Sequence, residues 1–480
     1  MLAAAEQDLA GEPVAVIGVH SPKFPAESDP ALVREALRRH GVTSPVVVDA
    51  GHRIWDAYAI KAWPTLVLVR PDGTIAASAP GEPEREPLVA AIRSLLGEQR
   101  GLLAHTALPL RPEPAPPGVL ASPGGLALAA AGPVIADTGH HQLVVCDADG
   151  RERDRIGSGL PGLEDGDART ARFTRPHGLA LDRRGGRDLL LVADTGNHAL
   201  RQVDLASGAV TTLAGTGHRG RSLTVTSGPA RRVDLRSPWD VALHPSGAAI
   251  VAMAGSHQLW AVDRIAAPPD PRPGRQPESG RVDRPPAVDA QTAAIAVAAV
   301  LAGSGREARV DGDLATAAFA QPTGLAYGPG GALFVADSET SAVRRVTADR
   351  VETLAGGDLF DFGDSDGAGE LARFQHPMGV APGPDGLLLV ADTLNHKVRT
   401  VDARSGRVRT LFGDGGQLDA ALARLERRPE VPADARTAAF CREPEALAWD
   451  GRRVLVVDTG NHRVLAVEPA SGAVELLLGA

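Results

Sequence analysis

The sequence predicts a mainly β protein, a six-bladed β-propeller preceded by a smaller α/β domain. Three observations predict it. One pattern is written six times along the 480 residues. Each copy holds four short apolar runs set apart by Gly, Pro and Asp turn signals, and recurrence at roughly 55-residue intervals marks propeller blades. Residues 1–97 instead alternate strand-like and helix-like segments, the order of an α/β fold with parallel strands.

In chain order, an apolar strand at Val14–His20 precedes a helix near Asp29–His40, and a second run at Val46–Asp49 leads to a short helix around Ile54–Ile60. Trp63–Val69, the turn Pro71-Asp-Gly73 and Thr74–Ala79 form a hairpin closed by a helix at Glu84–Leu96. Residues 98–120, with prolines 109, 112, 114, 116 and 117, predict a stiff extended connector. The ring then occupies residues 121–480. Its clearest copy runs Phe173-Thr-Arg-Pro-His-Gly-Leu-Ala, Leu191-Val-Ala-Asp-Thr-Gly-Asn-His-Ala-Leu-Arg-Gln-Val-Asp204 and Ser207-Gly-Ala-Val-Thr-Thr-Leu-Ala-Gly215. Further copies centre on Asp137, Asp337, Asp392 and Asp458, and a degenerate one reads Val251-Ala-Met-Ala-Gly255. Two segments break the repeat: residues 264–292 read as a surface insertion loop, and Leu418–Arg427 reads as a helix outside the blade plan. Asp165-Gly-Asp, Asp311-Gly-Asp and Asp366-Gly-Ala each lead to a phenylalanine (Phe173, Phe319, Phe374) expected to plug a seam between blades.

A net charge of -9 and the lack of any basic block argue against nucleic acid as a partner. No apolar run approaches membrane-spanning length, so no membrane partner is expected. Two cysteines, Cys146 and Cys441, are too few for a disulfide framework and stand at no metal-ligand or redox spacing. Such thiol usage points to a reducing, cytoplasmic home, and neither metal nor other cofactor is expected.

The repeat, with its Pro-x-Gly-Leu/Val-Ala, Val-Ala-Asp-Thr-x-Asn-His and Thr-Leu-Ala-Gly, resembles the NHL repeat. Residues 1–97 resemble a thioredoxin-like domain. The combination is similar to the NHL-repeat-containing protein 2 family, carried further by Gly18-Val-His-Ser-Pro-Lys-Phe24, Trp63-Pro-Thr65, Ser237-Pro-Trp-Asp-Val241 and Ala252-Met-Ala-Gly-Ser-His257. That resemblance implies a first strand and a Cys-x-x-Cys opening a helix, whose positive end depresses the first thiol's pKa. No cysteine lies in residues 1–145, and Met1-Leu-Ala-Ala-Ala-Glu-Gln-Asp-Leu resembles the second half of that helix. The sequence is therefore expected to begin at an internal Met of a longer protein, lacking a central strand and its redox motif. The resemblance also makes Trp63, Pro64 and Thr65 a cis-proline loop whose backbone pairs with a substrate peptide.

Four Asp/His pairs (Asp137/His141, Asp194/His198, Asp392/His396, Asp458/His462) tempt a metal reading. Each recurs at one place in its own blade, so the side chains are expected to satisfy turn amides and neighbouring strands. A more specific constellation comes from position. Residues around each Pro-x-Gly begin the innermost strand and should ring one mouth of the central channel: Gly124, Arg175/His177, Trp239/Asp240, Gln321/Thr323, His376/Met378 and Glu443/Glu445. Because these positions differ from blade to blade, they predict a polar funnel with an aromatic wall, fit for a small ligand or a peptide tip.

The expected function is an interaction scaffold docking a protein or peptide client, fused to a thioredoxin-like domain. Through the resemblance, the full-length protein would be a thiol–disulfide oxidoreductase or redox-linked regulator, while this chain is redox-inert. The alternative, by fold analogy alone, is a metal-dependent propeller lyase or hydrolase. In it His177, His376, Asp240 and Glu443 or Glu445 would ligate the metal and a bound water would attack.

Overall fold

In the computed structural model, apolar patterning becomes two units, residues 1–116 and 117–480. The described residues are 2–39, 41–81, 83–103, 118–220, 223–263, 296–413, 441–471 and 473–479. The predicted insertion loop 264–292, the helix Leu418–Arg427 and most of the Pro-rich connector lie outside them.

In the first unit the Val-rich runs form short strands. Gly18–His20 runs parallel to Val46–Val48, with Val19 opposite Val47. Thr65–Val69 forms a hairpin with Ile75–Pro80, turned at Gly73 with φ 85°. The two pairs are separate two-stranded sheets, with no ladder between them among the described residues. Helices Leu2–Asp8 and Arg85–Glu98 bury Ala5, Leu9, Leu88 and Val89 together, and Arg93 pairs with Glu12 at 2.9 Å. Helix Pro30–Arg39 buries Leu32 and Val33. Strand Val14–His20 is shorter than the sequence predicts, spanning Gly18–His20, and the helix predicted at Ile54–Ile60 covers Arg53–Ala57.

The second unit is a six-bladed β-propeller. Blade two shows how residue choice makes a blade. Its strands are Pro176–Asp182, Leu189–Asp194, Ala199–Asp204 and Val210–Ala214, ordered from channel to rim. The second strand is a continuous apolar run because both of its faces are covered. Leu190 and Val192 pack on Val134 and Ile156 of blade one, while Leu191 joins Val241 and Val251 of blade three. Alternation along one strand therefore feeds two seams. Phe173, Phe319 and Phe374 are fully buried in three seam clusters. Each burial contributes roughly 1.5–3 kcal/mol.

Blades one and six have four strands each, and the last, Val474–Gly479, pairs with Arg463–Val467 of its own blade. Closure comes from packing of Ile135 and Val144 against Leu455, Val457 and Val464. Blades three, four and five carry a fifth strand that the sequence pattern does not announce: Ser227–Pro229, Gly312–Asp313 and Gly367–Ala368. Two or three residues rich in Gly offer no apolar period to read.

Glycine in Pro-x-Gly has a steric cause. A Cβ on Gly379 would overlap the Glu445 carbonyl oxygen of the next inner strand, and one on Gly125 the His177 carbonyl oxygen. Gly379→Ala is expected to cost about 1–3 kcal/mol by forcing inner strands apart. Urea unfolding measures it, and an unchanged midpoint would contradict this close approach.

Candidate functional site

Each blade ends its second strand in a tight turn whose last residue has left-handed φ: His141, His198, His257, Ser341, His396 and His462, between 49° and 58°. Histidine tolerates that conformation better than most side chains. The turn throws each side chain toward the next blade, where it accepts a backbone N–H. Arg175, Ser237 and Gln321 donate to the Nδ1 atoms of His141, His198 and His257, each at 3.1 Å. Glu443 donates to His396 at 3.1 Å and Ser122 to His462 at 2.9 Å, which closes the ring. Between blades four and five, His376 N–H donates to Ser341 Oγ at 3.3 Å. These six bonds clasp the ring and hold the residues that precede each inner-strand proline. A second tier supports them: Thr138, Thr195, Ser338, Thr393 and Thr459 each donate a hydroxyl to the carbonyl of the next blade's Pro. Blade three has Ala254 there and lacks that bond.

The aspartates do different work from the histidines they were paired with in the sequence. Asp194 accepts Thr174 N–H at 2.8 Å, Asn197 Nδ2 at 2.8 Å and Arg201 Nη1 at 2.8 Å. Asp337 and Asp392 repeat the arrangement with Arg344 and Arg399, all three arginines being fully buried. Each guanidinium lies 5.2–5.6 Å from the ring centre of Phe173, Phe319 or Phe374. Burial pushes the Asp194 and Asp337 carboxyls up to about 6, against the pull of their arginines. Nothing here resembles a metal site.

The channel down the ring axis has a volume of about 400 Å³. Of the predicted mouth residues, Gly124, Trp239, Asp240, Thr323, Met378 and Glu445 line it. Arg175, His177, Gln321, His376 and Glu443 are not among its lining residues. His177 is 2% exposed, its Nδ1 is 3.0 Å from the Arg175 carbonyl and its ring lies 4.5 Å from that of Trp239. Glu443 and Glu445 are buried, Gln321 is exposed, and His376 faces Glu339 at 3.4 Å. Among the described residues, no three His, Cys, Asp or Glu side chains gather as a metal set, so the ligands of the metal-dependent reading are not brought together.

Asp240 occupies the position that is glycine in four other blades. Its carboxylate accepts Leu325 N–H at 2.7 Å and Val241 N–H at 2.8 Å. Burial pushes this carboxyl up to about 7, with only those two amides pulling against it.

In the first unit the Trp63–Pro64 bond is cis, as the resemblance implies. Trp63 donates Nε1–H to the Ser21 carbonyl at 2.9 Å, sits 4.3 Å from Trp55 and is 48% exposed. Thr65 donates its hydroxyl to the Ala62 carbonyl, and the Pro64 carbonyl accepts Gly81 N–H. Cys146 and Cys441 are both buried in the propeller, and burial raises the Cys146 thiol to about 12. Neither thiol is poised to react.

Repeat, ring and clasp together define an NHL-repeat β-propeller, and the NHL repeat family matches at residues 319–345. Over 482 aligned residues the chain is 34% identical to NHL repeat-containing protein 2 of Bos taurus, covering 94% of this chain and 61% of that protein. The Homo sapiens protein of the same name is 33% identical, covering 96% and 63%. The chain thus belongs with the homologues of NHL repeat-containing protein 2, and spans about three fifths of their length. Protein SUPPRESSOR OF QUENCHING 1, chloroplastic, from Arabidopsis thaliana is 34% identical over 84% of this chain and 37% of its own. Among solved structures, virginiamycin B lyase from Staphylococcus aureus aligns with 75% of this chain and 87% of its own at 10% identity and a TM-score of 0.38. No helix among the described residues is long and apolar enough to cross a membrane.

Proposed function

We propose that the propeller is a docking scaffold for a protein or peptide client, joined to a thioredoxin-like domain in residues 1–97. The observation that carries this reading is the alignment with NHL repeat-containing protein 2 over 94% of the chain, a span that the 121–480 ring alone cannot supply. A rigid, clasped ring whose channel residues Gly124, Trp239, Asp240, Thr323, Met378 and Glu445 differ from blade to blade suits selection of one client, because unlike side chains make an asymmetric surface. The loop Trp63, Pro64 and Thr65 supports the second half of the reading: it starts a strand and exposes an indole where an extended peptide could pair. In this chain the thioredoxin-like unit has no thiol of its own, so it binds rather than reduces.

Insulin reduction tests the division of labour. This chain is expected to give the uncatalysed rate. A longer version carrying a Cys-x-x-Cys upstream of Met1 is expected to turn over, and equal rates from the two would end the reading.

A further inference from the structure

The channel carries a second inference, independent of any redox chemistry. The glycines at 125, 178, 324 and 379 let neighbouring inner strands approach, and a Cβ at each would strike the adjoining blade. Blade six puts Ala446 there, and blade three puts Asp240. A carboxylate is an expensive choice at such a crowded position unless it has a task. Its two oxygens accept Leu325 N–H and Val241 N–H, and these neutral amides leave the charge itself without a counter-ion. No Lys, Arg or His pairs with Asp240 among the described residues. The ionisable side chains lining the channel are Asp240, Glu445 and Tyr327, two of them acidic and none basic. Around them the wall is Leu, Val and Ala, with Trp239 and Trp449 adding indole surface. An apolar tube of this volume with an uncompensated carboxylate and aromatic faces is complementary to a cation on a hydrocarbon stem.

We propose that the central channel binds an organic ammonium group, with Asp240 as its counter-ion and Trp239 as its aromatic wall. A free amine and a lysine side chain offered by a client present the same chemistry. Isothermal calorimetry on the intact chain, buffered on the alkaline side of neutral, separates them with three probes. These are phenethylamine, its uncharged isostere 2-phenylethanol, and an acetylated, amidated peptide with one lysine between leucines.

At least one ammonium probe is expected to bind about tenfold or more tighter than the alcohol, a difference of about 1.4 kcal/mol. Preference for phenethylamine names a small-molecule ligand, and preference for the peptide names a client side chain. Asp240→Asn keeps an acceptor for Leu325 N–H, gives up the bond from Val241 N–H, and should abolish the preference. Equal binding of amine and alcohol, absence of binding by all three probes, or an undiminished preference in Asp240→Asn would each overturn the proposal. The amine-to-alcohol comparison in the parent chain stands even if the variant folds poorly.

Discussion

Replacing Arg344 by leucine is expected to destabilise the propeller by about 3–5 kcal/mol, a large share of the stability a domain has. Arg344 is fully buried and makes four bonds. Nη1 donates to Asp337 at 2.8 Å and to the Ala318 carbonyl at 3.0 Å; Nη2 donates to the Val310 carbonyl at 3.0 Å and to Asp311 at 2.8 Å. Truncation strips a buried carboxylate of its counter-ion and takes one bond from each of two carbonyls, which keep backbone N–H partners. Asp337 would then titrate still higher, since burial already raises it and the arginine is what pulls it down. The loss should therefore shrink as pH falls and Asp337 takes up a proton. Blade three shows what repairs the damage. At the four equivalent positions, Asp311, Phe319, Asp337 and Arg344 become Ser227, Leu235, Met253 and Trp260. Leu235, Met253 and Trp260 share one apolar cluster, and the indole Nε1–H is satisfied by Gln258 at 3.2 Å. An ion pair has been exchanged for packing, and such exchanges are often neutral or stabilising. Moving all four residues into blade four, with Ala342→Gln to supply the indole's acceptor, should recover at least about half of the Arg344→Leu loss. Denaturant midpoints of the single and combined variants decide it. No recovery would mean that the residues do not form one exchangeable unit.

That unit shows what the sequence could and could not disclose. Blade number and strand order were legible because every blade repeats its apolar runs, and a strand buried on both faces must be written in Val, Leu and Ala. The degenerate copy at Met253 was visible too. Its companions Leu235 and Trp260 were not, since nothing in a linear pattern says that three separated changes compensate one another. The clasps were hidden for a similar reason: their partners lie 34 to 340 residues apart. His177 was expected at an open mouth. Its Nδ1 instead lies 3.0 Å from the Arg175 carbonyl and the imidazole stacks on Trp239, which leaves it 2% exposed. Asp240 stands out in the sequence as a mouth residue, but its lack of a cationic partner needs three dimensions.

Exchanging His198 for serine is expected to remove an acid-sensitive joint while leaving the ring closed. Ser341 already makes the equivalent clasp between blades four and five through its hydroxyl, which has no charge to gain near neutrality. His198 accepts Ser237 N–H through Nδ1, so protonation would turn the acceptor into a donor and break the bond. Burial holds its pKa down to about 4, with Arg219 adding to the effect and Asp234 opposing it. The ordinary value is about 6.5. Between those two pH values the unfolded chain binds the proton and the folded one refuses it, so stability is full above the upper value and is lost as pH falls toward the lower. Burial lowers His141 and His257 in the same direction. The buried carboxyls of Asp194, Asp337 and Asp392 run the other way, because their raised values let the folded state take up protons first. A pH profile of the parent alone would mix both trends. Subtracting the profile of His198→Ser isolates one histidine. Near neutrality the two proteins should differ by less than about 1 kcal/mol. As pH drops through the window the parent should lose on the order of 2 kcal/mol relative to the variant, with most of the change below pH 6 or so. A difference that stays flat with pH would mean that His198 is not the acceptor in its clasp, and the account of ring closure by neutral imidazoles would fall with it.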